Sequence, residues 1–176
     1  DSLQEDVSLL LIGENPEQCG QEAIALGADR IFFVENSRLS CYQPDAYYSI
    51  ACQVCKEYSP YVFLMGQTDI GRDLAPKVAA RLGTGLSMDC LALNIDPVTR
   101  LMVMTRPVFG GNALVDRVCE KARPQMATIR SKSQKTAEPD AERKGQTVEI
   151  PFKLEPISKE VQITQRVKQE LEGVRL

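Results

Sequence analysis

Histidine is absent from all 176 residues. Without imidazole there is no Ser-His or Cys-His dyad, no zinc site built on histidine, and no ordinary proton shuttle near neutral pH. Long basic runs are absent as well. The 21 Lys and Arg residues are scattered among 24 Asp and Glu, for a formal net charge of −3, which argues against a nucleic-acid surface. No apolar stretch approaches the ~20 residues that cross a bilayer; the longest are of the order of Val7–Ile12, so no membrane insertion is expected. The opening residues, D-S-L-Q-E-D, lack the basic and apolar parts of a signal peptide. The default expectation is a soluble intracellular protein. Its length suits one well-buried domain, given the usual ~100–150 residues per domain.

Cysteine is present but not in a disulfide pattern. The six residues are Cys19, Cys41, Cys52, Cys55, Cys90 and Cys119, in a chain too long to be a small secreted scaffold. Cys52 and Cys55 form a C-x-x-C late in an apparent helix, where Tyr48, Ala51, Cys52, Cys55 and Tyr58 recur at helical spacing. A redox pair of that type normally opens a helix, where the dipole lowers the thiol pKa. Buried structural thiols are expected.

The hydrophobic pattern gives an alternating architecture. Val7–Ile12 is a short apolar run of the kind found in buried parallel strands. Asn15, Pro16 and Gln18 read as an N-cap, a proline at the first helical position and a variant capping box, with Cys19, Ala23 and Leu26 on one face and Gly27 closing the helix. Arg30–Val34 is the next strand. Pro44–Tyr58 is a second helix, Tyr61–Met65 a third strand, and Leu74, Ala75, Val78, Ala79 and Leu82 mark a third helix that ends at Gly83. Pro76 should limit how far upstream this helix runs. Such alternation indicates an α/β fold with a doubly wound, mostly parallel sheet.

The pattern changes after Gly85. Asp89–Ile95 and Arg100–Arg106 read as a hairpin about Asp96-Pro97-Val98-Thr99, and Leu114–Cys119 and Gln125–Ile129 continue as strands without intervening helices. Antiparallel strands are therefore expected in this half. Residues 131–146 are polar and read as a loop; Val148–Leu154 alternates like a strand, and Lys159–Val167 as a strand or a helix.

Two stretches suggest ligands. Gly66–Asp73 nearly spells a phosphate-binding loop, but Arg72 and Asp73 stand where the lysine and the magnesium-binding hydroxyl belong. The alternative is a helix start capped by Asp69 or Asp73. Asp69, Asp73 and Asp89 could also be imagined around a metal, though solvated or capping carboxylates are the commoner use. The second stretch is Thr105–Asn112, T-R-P-V-F-G-G-N. Pro107 fixes one backbone angle, Gly110 and Gly111 allow conformations closed to other residues, and Arg106 offers a planar five-donor cation. It reads as a ligand corner at a strand end, or as a hairpin turn with a surface arginine.

R-P-V-F-G-G-N, the later R-P-Q-M-A-T-I-R at Arg123–Arg130 and the earlier G-R-D-L-A-P-K-V-A-A-R-L-G-T-G at Gly71–Gly85 resemble, in order and spacing, the alpha subunit of electron transfer flavoprotein. The likeness runs from about Val7 to Arg130 and belongs to that subunit's N-terminal domain. It implies a three-layer Rossmann-like fold of the adenine nucleotide alpha hydrolase type. It also implies a beta subunit as partner, carrying FAD or AMP, and electron transfer from an acyl-CoA or other flavin dehydrogenase, as in fatty acid beta-oxidation. No stand-alone catalysis follows from it. Arg106, Pro107, Gly110, Gly111 and Asn112 would lie at the interface with the beta subunit's flavin or nucleotide. In bifurcating members, an arginine matching Arg106 lies beside that flavin's N5, where a cation would stabilise a negatively charged reduced ring. The G-G-R-G and S-G-A-x-Q-H segments of the FAD domain do not occur in this sequence. The chain is thus expected to be one N-terminal domain, with 168–176 opening a linker to the FAD domain. Its compartment would be the cytoplasm in a bacterium or the mitochondrial matrix in a eukaryote. The competing reading is a nucleotide-binding module without redox function.

Overall fold

A computed structural model of the chain describes residues 3–152. The segments Lys159–Val167 and 168–176 lie outside the described residues.

Three α-helices and nine strands occur among them. The first unit is β1 (Ser8–Gly13), a 3₁₀ turn at Pro16–Cys19, α1 (Gly20–Ala25) and β2 (Arg30–Glu35). The expected helix start is corrected here: Asn15 makes no side-chain capping bond, and the regular helix begins only at Gly20. Ile24 is buried, whereas Cys19 is exposed. The tighter 3₁₀ turn rotates the face by which this short helix packs.

α2 (Pro44–Tyr58) follows the sequence pattern, ending at Ser59 in the left-handed conformation before Pro60. β3 (Val62–Gly66) leads into α3 (Asp69–Leu82), which Gly83 closes with φ 66°. Pro76 lies inside α3 and does not delay its start. Thr68, and neither Asp69 nor Asp73, caps the helix: its Oγ1 accepts the Gly71 amide at 3.1 Å.

The stretch read as one strand over Asp89–Ile95 is two. β4 (Leu86–Cys90) runs parallel to β8 (Gln125–Ile129), and β5 (Ala92–Ile95) runs antiparallel to β6 (Met102–Val108). An extra residue between Ser87 and Cys90 and a left-handed Asp89, φ 61°, bend the chain out of one sheet towards the other. β7 (Ala113–Arg117) pairs antiparallel with β6. β8 also departs from the sequence expectation. It was expected among the antiparallel strands but lies between β3 and β4, parallel to both. Its Met126, Ala127 and Thr128 are all buried, so covering on both faces removes the alternation that would have marked its surroundings.

The strands form three three-stranded sheets, β1-β2-β9, β3-β8-β4 and β5-β6-β7. β9 (Gln146–Glu149) pairs parallel with β2. The first two sheets are parallel, and α2 spans them. Its Ala46, Ile50 and Val54 pack with Phe32 and Val34 of β2, while its Ala51 and Cys52 pack with α3 and with Met126 of β8. On the opposite faces, α1 covers β2 through Ile24 and Ile31, and the antiparallel sheet covers β8 and β4 through Met102, Met104, Cys90 and Ala127. The result is a three-layer α/β fold with an added antiparallel sheet.

Residues 131–145 contain no helix or strand. Part of this polar loop is tied down: the Arg143 guanidinium reaches Asp29 at 2.6 Å and the Asp140 amide donates to the Ala25 carbonyl at 2.9 Å.

Candidate functional site

The carboxyl ends of β3, β8 and β4 open on the same side, the usual ligand side of a parallel α/β sheet. The backbones are locked together there. The Gln67 amide donates to the Ile129 carbonyl at 2.7 Å, and the Arg130 amide to the Cys90 carbonyl at 2.9 Å. Thr128 Oγ1 accepts the Asp89 amide at 2.9 Å and itself donates to Gln67 Oε1.

This frame presents Asp89 to Arg130. Arg130 Nε donates to Oδ1 at 2.9 Å and Nη2 to Oδ2 at 2.6 Å, a fork-to-fork pair. Hydrogen bonding by Arg130 holds the Asp89 carboxyl below its usual range against the opposing effect of burial, and the charges of Arg130, Arg72 and Arg106 add to it. Three guanidinium groups therefore act on one carboxylate. Sequence reasoning missed this cluster, having weighed Asp89 as a metal ligand or, more commonly, a solvated or capping carboxylate. Among the described residues no group of acidic, cysteine or histidine side chains could hold a metal ion.

Arg106 comes to this edge from the antiparallel sheet. It shares the inward face of β6 with buried Met102 and Met104, following the two-residue alternation of a strand. Its Nε is buried and without a hydrogen-bond partner. An unmatched buried donor costs free energy, so this atom is a marker for a missing acceptor.

The strand runs on past Arg106, through Pro107 to Val108, and does not end at the arginine as the sequence suggested. β5 stops pairing at Ala92↔Thr105, so Pro107 sits where that flank of β6 is free. A residue without an N–H is tolerated there. The turn itself is Phe109–Gly111, with φ of 52°, 67° and 96° at Phe109, Gly110 and Gly111. The two glycines face open space, since a Cβ on either meets nothing within 4 Å; their use is conformational. Asn112 closes the turn by donating from Nδ2 to the Phe109 carbonyl at 2.9 Å. Phe109 is 83% exposed and Leu114 60%, giving the hairpin an apolar tip. Arg106, Pro107, Gly110, Gly111 and Asn112 thus share one hairpin, with Arg106 on its inner face and the turn at its end.

The Gly66–Asp73 loop makes a poor phosphate cradle. The Gly71 amide is taken by Thr68, and the Gln67 amide by Ile129. Asp73 turns away, accepting from the Tyr42 hydroxyl at 2.6 Å and from Lys77 at 2.8 Å. Gly71 serves packing instead, for a Cβ there would collide with the Gly66 carbonyl oxygen.

Residues 1–154 match the family described as "Electron transfer flavoprotein domain". The chain is 36% identical over its whole length to the electron transfer flavoprotein subunit alpha of Megasphaera elsdenii, covering 52% of that protein. It is 43% identical over 82% of its length to the corresponding subunit of Thermoanaerobacterium thermosaccharolyticum, covering 44%. A third relative, 36% identical over 73% of the chain and covered for 41% of its own length, is the acryloyl-CoA reductase electron transfer subunit beta of Anaerotignum propionicum. The chain spans about half the length of the curated relatives it matches.

Proposed function

The chain belongs to the electron transfer flavoprotein family, and from that premise we propose that it is the part of an alpha subunit that docks a beta subunit and sets the electrostatics beside a flavin held by that partner. It carries no bond-making chemistry of its own. The flavin, when bound, supplies the electron transfer; the residues of this chain orient it and tune its potential. Electrons would come from a flavin dehydrogenase, of the acyl-CoA class or another, and the alpha subunit's own FAD would sit in the remaining half of that subunit. The bacterial relatives suggest a cytoplasmic setting.

The observation that carries this reading is Arg106. Its buried, unpartnered Nε lies on a hairpin whose glycine turn is open and whose tip exposes Phe109 and Leu114. An electron-rich ring edge fits beside such a donor, and an apolar partner surface fits the tip. Arg106 would supply charge, Gly110 and Gly111 close approach, and Pro107 a stiff strand beneath them. Asn112, tied to the Phe109 carbonyl, would act by fixing the turn. No helix among the described residues is long and apolar enough to cross a membrane.

The test is to co-express the full-length alpha subunit with its beta subunit and record flavin content, visible spectrum and midpoint potentials. The reading expects a stable heterodimer in which Arg106→Gln moves the potential of the beta-subunit flavin to a more negative value. Flavin in both subunits would indicate a bifurcating carrier; AMP in the beta subunit would indicate the ordinary kind and leave Arg106 an interface residue. Failure of the subunits to associate would sink the reading.

A further inference from the structure

Asp89 poses a problem for Arg106. A buried guanidinium N–H without an acceptor ordinarily recruits any carboxylate in reach, and the Leu91 amide, donating to the Thr105 carbonyl at 2.9 Å, lays the segment just after Asp89 against the residue just before Arg106, so that the charge of Arg106 acts on Asp89. Yet both Asp89 oxygens are occupied by Arg130, at 2.9 and 2.6 Å. We infer that Arg130 is a positioning residue for Arg106: by gripping Asp89 with two hydrogen bonds, it keeps that carboxylate from pairing with Arg106 and leaves the Arg106 guanidinium available to a ligand.

The grip is built into the backbone. The additional residue in β4 and the left-handed conformation of Asp89 aim its side chain, and the Asp89 amide is anchored on Thr128 Oγ1. Arg130 is fixed from the other side, its amide donating to the Cys90 carbonyl. A planar guanidinium is the side chain suited to this task, because it satisfies both carboxylate oxygens at once. With Asp89 neutralised by Arg130, Arg106 and Arg72 are left as excess positive charge at the sheet edge. In the flavin reading, on which this inference rests, that excess is what a reduced ring would meet.

The experiment uses the flavin-loaded heterodimer for potentials and the ¹⁵N-arginine-labelled 176-residue chain for the Arg106 Nε–H signal. In Arg130→Gln, Asp89 should turn to Arg106. The flavin potential should shift in the same negative direction as in Arg106→Gln, and the Nε–H proton should move downfield and exchange more slowly with water. Adding Asp89→Asn to Arg130→Gln should abolish both changes, whereas a merely structural role for Arg130 would leave the double variant no better than the single. Arg130→Lys, with charge but no fork, should give an intermediate shift. If Arg130→Gln does not fold, Asp89→Asn alone decides: the potential should move positive with the Arg106 signal unchanged, and no movement overturns the inference. An Arg106 signal and potential unaffected by Arg130→Gln would also overturn it. Should Arg106→Gln itself leave the potential unchanged, the flavin reading falls, while the Nε–H signal still tells whether Arg130 restrains Asp89.

Discussion

Arg130 and Asp89 meet through two hydrogen bonds, Nε to Oδ1 at 2.9 Å and Nη2 to Oδ2 at 2.6 Å, across the carboxyl ends of neighbouring parallel strands. They are 41 residues apart in sequence. Their meeting depends on β8 passing between β3 and β4, and it joins the parallel sheet to the charge environment of Arg106.

Arg130 holds the Asp89 pKa below its ordinary value, about 3.9 for an unperturbed aspartate. The folded state therefore binds the Asp89 proton less readily than the unfolded chain does. The resulting stabilisation is fully present above the unfolded pKa and is lost as pH falls through the depressed folded one. Asp89→Asn should lower the melting temperature near neutral pH and narrow the gap to wild type in acid. Thermal melts across a pH series check this; a gap that widens in acid would refute it.

Gly71 should tolerate no side chain. A Cβ would strike the Gly66 carbonyl oxygen, a backbone atom that cannot swing aside. Gly71→Ala is expected to cost about 3 kcal/mol or more, at or above the upper end for forced overpacking. Urea denaturation measures it, and a near-neutral result would mean that α3 starts differently.

Thr68 is the cap of the same helix, its Oγ1 accepting the Gly71 amide at 3.1 Å. Thr68→Ala should lose about 1 kcal/mol and Thr68→Ser much less, since serine keeps the acceptor. Equal losses in the two variants would assign the effect to the methyl group.

The thiols should separate by reactivity. Burial pushes the Cys55 thiol up to about 12 and also raises that of Cys52. Burial raises the Cys119 thiol, but hydrogen bonding with the Gly85 amide and the Thr84 hydroxyl, with Arg123 nearby, brings it below its ordinary value. Timed alkylation read by mass spectrometry should modify Cys119 well before Cys52 or Cys55. Rapid modification of the C-x-x-C pair would revive it as a redox motif.

Gln125 is fully buried, and its Oε1 accepts the Met102 amide at 2.8 Å. Gln125→Leu would strand that amide and should cost about 1–3 kcal/mol. A loss of stability with unchanged secondary structure, seen by circular dichroism and urea titration, is the expected outcome.

Local elements governed by short-range chemistry are legible in the order of residues alone. Pro44 and the apolar spacing behind it specify α2; Gly83 stops α3; Asp96 and its neighbours turn β5 into β6, with Asp96 Oδ1 accepting the Val98 and Thr99 amides at 2.9 and 2.7 Å. The absence of histidine removed whole classes of chemistry, and three motifs carried the family. Arg106 was legible as a cation next to a proline and a glycine turn. Its orphaned Nε was not, because the lack of an acceptor depends on every residue that packs near it. The tertiary structure alone decided the rest. A fully buried strand has no alternation to announce its neighbours, so β8 was visible as a strand but not as the parallel centre of its sheet. Which carboxylate Arg130 would grip, and which Arg106 would therefore be denied, followed only from that placement, since charge pairing acts through space and leaves no period in the chain.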